Sequence, residues 1–176
     1  NTDPNCDYNC QRDKYFFWGL TSLLGAQNYT NNLESRSENI ANEWKYATKE
    51  LLQENDSTLY NLLTNSTYNL PTQIPNGNYP IQNSIADFTI YDSTPYEYEE
   101  YKKIFSKHMI VFGVIILATN TVDDSKLLHT ASIVAEYLDN NEDGIPDNMN
   151  VIDNILLKSP VIIIANSENE YQTLFE

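Results

Sequence analysis

Apolar residues recur at helical spacing through the first third of the chain and gather into short continuous runs in the last third. Tyr15, Phe16, Phe17, Trp18, Leu20, Leu23 and Leu24 crowd a stretch that ends at Gly25, which predicts a helix over 13–24 with a glycine just past its end. Ile40, Trp44, Ala47, Leu51 and Leu52 then fall on one face of a second helix, begun by Ser35 or Ser37. A short helix is expected over 57–63. Beyond it, Pro71, Pro75, Gly77 and Pro80 break any regular pattern, so 69–83 reads as a Pro- and Asn-rich surface loop.

The second half changes character. Ile85 to Tyr91 alternates apolar with polar, as a strand does. Thr94-Pro-Tyr-Glu97 has the form of a capping box with proline at the first helical position, predicting a helix over 95–107. The β-branched run 109–118 reads as one buried strand. Asp124 is expected to cap a helix to Leu138 that turns Leu127, Leu128, Ala131, Val134, Ala135 and Leu138 inward. A helix over 151–157, a buried strand over 160–165 and a last helix capped by Ser167-Glu-Asn-Glu170 complete the pattern. Two wholly apolar strands separated by helices imply a parallel pair joined by a crossover. The expected fold is α+β (or α/β), with a mostly helical N-terminal half. A small sheet follows, with at least two buried parallel strands and crossover helices around an acidic loop. One domain is expected over 1–176, with a helical stretch over 1–68, the loop 69–83 and an α/β stretch over 84–176.

Composition narrows the function classes. Ten basic residues against 25 acidic ones leave a net charge of −15, a field that repels nucleic acid and anionic lipid and attracts cations. The longest apolar run, 109–118, is about half of the roughly 20 residues that a spanning helix needs, so no membrane span is expected. The chain opens with neither an initiator methionine nor a charged-then-apolar leader and ends inside a helical pattern, which suits a processed protein or a piece of a longer one. Cys6 and Cys10, the only two cysteines, suit a small disulfide loop near the terminus, with free thiols as the alternative. Asn28-Tyr-Thr, Asn55-Asp-Ser and Asn65-Ser-Thr are acceptor sequences for N-linked glycans. Together with the loop described next, these features point to a secreted, extracellular protein.

That loop is Asp139-Asn-Asn-Glu-Asp-Gly-Ile-Pro-Asp147. Calcium takes six to eight oxygens at about 2.3–2.6 Å, and a tight turn supplies them from alternate positions. Asp139, Asn141 and Asp143 occupy positions 1, 3 and 5, and Gly144 at position 6 permits the positive φ of the turn. Ile145 would offer its carbonyl at position 7 and bury its side chain, Asp147 stands at position 9, and Asn150 at position 12. The loop resembles the start of an EF-hand loop and, in its Asp-Gly-Ile-Pro-Asp ending, the thrombospondin type-3 calcium repeat. Asn150 departs from the EF-hand pattern, which carries a bidentate Glu there, and implies the weaker binding of extracellular calcium modules. The wider stretch 127–148 is similar to secreted microbial and algal proteins, some with protease-like regions downstream.

Catalytic patterns are sparse. His129 and Glu136 lie on one helical face without an HExxH sequence, His108 stands at an element boundary, and five glycines form no phosphate-binding loop. Acidic neighbours such as Glu97, Glu99 and Glu100 arise readily among 25 acids. Thirteen tyrosines, with Tyr96, Tyr98 and Tyr101 clustered, favour contact surfaces. The expected function is therefore not enzymatic. It is that of a secreted, calcium-stabilised structural glycoprotein that self-associates as a homo-oligomer or filament. The runner-up is the N-terminal fragment of a larger secreted, metalloprotease-like hydrolase without its catalytic residues.

Overall fold

The computed structural model describes residues 6–28, 30–31, 34–80 and 84–174, the side chains of 30, 31, 34 and 36 excepted. The fold is α+β. It divides into two compact units, Asn1–Ile74 and Pro75–Glu176, where the length alone suggests one domain. The boundary falls inside the Pro- and Asn-rich stretch 69–83.

The first unit is helical. α1 (Tyr8–Leu23) begins earlier than the apolar pattern implies because Asp7 caps it, its carboxylate accepting the Cys10 N–H at 2.9 Å. Cys6 and Cys10 form a disulfide across the first turn. β1 (Thr30–Asn31) pairs antiparallel with β2 (Glu34–Ser35). The single helix expected from Ser35 or Ser37 is not formed. A short α2 (Arg36–Asn39) ends, the chain turns, and α3 (Lys49–Asn55) restarts where the Thr48 hydroxyl accepts the Leu51 N–H. The turning segment is held by Trp44, whose ring N–H lies 2.9 Å from both Ser22 Oγ and the Tyr46 carbonyl oxygen. Ile40, Trp44, Ala47 and Leu52 are nevertheless buried, while Leu51 is exposed. α4 (Ser57–Leu63) follows, capped by Asp56, and adds Leu59 and Leu63 to the same core.

The second unit is built on a three-stranded sheet of order β3–β4–β5, formed by β3 (Lys107–Val111), β4 (Val114–Ala118) and β5 (Val161–Ile164). β3 and β4 are antiparallel, so the run expected as one strand is a hairpin. Its corner is Phe112-Gly113, with φ of 48° and 88°. Positive φ at both central residues is the two-residue turn whose twist matches paired strands. β4 and β5 are parallel, Ile115 opposite Val161 and Ala118 opposite Ile164. α5 (Asp124–Leu138) and α6 (Met149–Lys158) lie in sequence between these two strands. Leu127, Ala131 and Ala135 of α5 join Met109, Val111, Ile116, Ala118 and Tyr79 in one core cluster. Every β5 residue is only half buried, against the expectation of a fully buried strand.

Two other expectations fail for local reasons. Residues 85–91 form no strand beyond one bridge, Tyr91 to His108. Ser84 Oγ and Asp87 Oδ1 accept the N–H groups of Ala86 and Thr89, and such side-chain turns compete with a ladder. The helix expected over 95–107 shrinks to a 3-10 helix, Tyr96–Tyr101, because Thr94 donates its hydroxyl to the Phe105 carbonyl instead of capping. α7 (Glu168–Thr173) starts where the pattern places it, Ser167 Oγ accepting the Glu170 N–H at 3.2 Å.

Candidate functional site

α5 ends at Leu138, and the next residue carries the chain into the acidic loop. Asp139 is 0% exposed. Its Oδ1 accepts the Asp143 N–H at 3.2 Å and its Oδ2 the Gly144 N–H at 2.8 Å, so the loop curls around this carboxylate. The Tyr79 hydroxyl donates a short hydrogen bond to the same Oδ2. Burial first, and then this bond to a carboxylate, push the Tyr79 hydroxyl pKa far above its ordinary value. Gly144 has φ of 94°, which lets two successive amides turn inward.

The other predicted ligands follow the curl. Asn141 Oδ1 accepts the Asp143 N–H at 3.0 Å, and Asp143 Oδ1 accepts the Ile145 N–H at 2.9 Å. Asp147 Oδ2 accepts the Asn140 N–H at 2.7 Å, and the Asp147 N–H donates to the Leu138 carbonyl at 2.9 Å, closing the loop at its neck. Asp139, Asn141, Asp143 and Asp147 thus belong to one turn. Ile145 does not bury its side chain, which is 57% exposed. Pro146 is buried instead. Asn150 lies exposed in the first turn of α6, its N–H held by Asn148 Oδ1 and its carbonyl by Asn154.

Every donor in the loop is a hard oxygen, the chemistry that suits calcium. Among the described residues, no group of three or more His, Cys, Asp or Glu side chains stands close enough to hold a metal ion. The side chains of Asp143 and Asp147 each bond locally instead of meeting at one point.

Elsewhere in this unit, Glu136 is buried and accepts the N–H groups of Asn76 and Gly77, at 2.5 and 2.7 Å. The His129 ring lies over Gly77, so close that an added Cβ would clash with it. The pair that shares a helical face therefore pins the chain at 76–77. His108 bonds through Nδ1 to the Ser93 carbonyl at 2.7 Å and stacks on Tyr91. In the first unit, a cleft of about 410 Å³ is lined by Tyr8, Tyr15, Trp18 and Trp44 with Lys14 and Glu43. The sequence signalled this only as aromatic crowding, since Trp44 reaches α1 by tertiary packing. Asn28, Asn55 and Asn65 are all exposed; Asn55 Nδ2 donates to the Leu51 carbonyl and Asn65 caps the Ser66–Tyr68 turn. No helix among the described residues is long and apolar enough to cross a membrane. No protein family, curated protein or solved structure matches the chain.

Proposed function

We propose that this chain is a calcium-stabilised structural domain of an extracellular glycoprotein that self-associates, with the loop 139–150 as its calcium site. One observation carries the calcium reading. Asp139 is wholly buried, and none of the ion pairs among the described residues, Arg12–Asp13, Lys102–Glu99 and Lys107–Asp124, involves it. Buried carboxylates are ordinarily paired with a cation or bound to a metal. A calcium ion beside Asp139 would supply that charge, with Asp143 and Asp147 swinging from local amides to the ion, Asn141 adding a side-chain oxygen and Ile145 its carbonyl.

Affinity on this reading is modest, because Asn150 offers one neutral oxygen where a bidentate Glu would bind more tightly. Isothermal titration of the chain with calcium tests it. One ion per chain is expected, with Asp143→Ala abolishing binding and Asn150→Glu tightening it. Absence of heat at millimolar calcium contradicts the site. The extracellular assignment draws support from the Cys6–Cys10 disulfide and from the exposure of Asn28, Asn55 and Asn65. Peptide mapping of native material should find at least two of these asparagines glycosylated; three bare asparagines would remove that assignment's glycan support. Self-association draws on exposed aromatic surface, Tyr96 being 89% exposed in the Tyr96–Tyr101 helix.

A further inference from the structure

The cleft on the first unit combines preset aromatic walls with polar groups of both signs. α1 supplies Tyr8, Tyr15 and Trp18 to it, and the turning segment before α3 supplies Trp44. Its volume of about 410 Å³ falls in the range of small-ligand clefts. Two of the rings are locked before any ligand arrives. The Tyr15 hydroxyl donates to Asp56, and the Trp44 indole N–H is held by Ser22 and the Tyr46 carbonyl. These two rings meet edge to face, with centroids 6.1 Å apart and planes inclined by 72°. A ligand resting against that corner has little side-chain freedom to remove there, which lowers the cost of binding.

The polar lining narrows what fits. Arg12, Lys14 and Glu43 all border the cleft, and Arg12 is already paired with Asp13 at 2.8 Å. An anion is repelled by Glu43 and by the chain's net charge of −15, while a cation meets Lys14 and Arg12 beside the rings. A wholly apolar ligand would strip water from these side chains without replacing its hydrogen bonds. A neutral ring with an apolar face and a rim of hydroxyls meets every part of the lining. The C–H bonds on the face of a pyranose carry partial positive charge, which suits the negative face of an aromatic ring. Its hydroxyls both donate and accept, so they match Glu43 as acceptor and Lys14 as donor.

We propose that this cleft binds a neutral saccharide, stacking the sugar's C–H face on the aromatic walls. The site lies wholly within the first unit and shares no residue with the acidic loop, so it stands apart from the calcium reading.

The chain has two tryptophans, Trp18 and Trp44, and both line the cleft, so indole emission reports on this site alone. The full chain is titrated with cellotetraose, chitotetraose, maltotetraose and mannotetraose, followed by tryptophan fluorescence and by calorimetry. Tetramethylammonium and digalacturonate serve as the cationic and anionic probes. At least one neutral sugar should bind and shift the emission, with both charged probes inert. Tyr8→Ala removes a ring that is 79% exposed, so the fold should persist while sugar affinity falls about tenfold. Should that variant alter the fold, the emission of the unsubstituted chain still decides. Silence from every sugar at millimolar concentration overturns the proposal, as does binding of either charged probe in their place. Sugar binding that leaves the emission unmoved and persists in Tyr8→Ala lies elsewhere, and overturns the cleft as its site.

Discussion

At the scale of single residues, the buried Asp139–Tyr79 pair organises the loop. A carboxylate that accepts two backbone amides and a phenol is well satisfied by hydrogen bonds, yet it takes part in none of the ion pairs among the described residues. The same chemistry recurs at Tyr15, whose hydroxyl donates to Asp56 and whose pKa is pushed up to about 12 by burial and then by that carboxylate. Raised folded-state values stabilise the protonated phenol. The contribution is complete below the unfolded value near 10 and is lost as pH climbs through the folded value. Tyr15 and Tyr79 should therefore resist ionisation well past about pH 10, with Tyr91 also shifted upward by its bond to Asp87, and all three should titrate normally in denaturant, as phenolate absorbance would show. A single transition near pH 10 for all tyrosines would contradict these bonds. The spacing of Asp139, Asn141, Asp143 and Gly144 was readable from the sequence because alternation and a glycine have local meanings. That Tyr79, sixty residues earlier, would cap Asp139 was not, since only the fold brings them together.

At the scale of elements, the sequence is most legible where a local signal decides. α4 spans Ser57–Leu63 as its pattern predicts, α5 ends at Leu138 as expected but has Asp124 inside its first turn and Asp123, not Asp124, at the cap position, and Ser167 caps α7. Ser167→Ala should cost about 1 kcal/mol of stability, measured by denaturant unfolding, as loss of an N-cap usually does. Legibility ends where tertiary contacts override the pattern. The helical stripe from Ile40 to Leu52 names buried residues correctly but belongs to a turn and a restarted helix, because the Trp44 indole bonds across to Ser22. The 109–118 run hides a hairpin because Phe112 and Gly113 are no conspicuous turn pair; only positive φ at both reveals it. Gly113→Ala should destabilise the second unit by about 1–2 kcal/mol, the cost of a left-handed non-glycine residue. Its Cβ would also meet Leu156 Cδ2 at 2.8 Å, so relaxation of α6 sets the final size. An unfolding midpoint unchanged by Gly113→Ala would argue against the turn.

At the scale of the whole molecule, charge bears on the proposed calcium binding. A net −15 opposes compaction and assembly, and three of the acids, Asp139, Asp143 and Asp147, sit in one turn. An ion that binds only the folded form stabilises it by RT ln(1 + [Ca]/Kd), about 1.4 kcal/mol for a Kd of about 10⁻⁴ M at millimolar calcium. The two-unit division lay beyond the sequence, which marks 69–83 as irregular without showing that each side holds its own core. The most direct measurement is the melting temperature of the chain in millimolar calcium and in excess chelator, with Asp143→Ala alongside. The account predicts a rise of a few degrees with calcium, carried by the second unit and absent in Asp143→Ala. Identical melting of the unsubstituted chain in calcium and in chelator would contradict it.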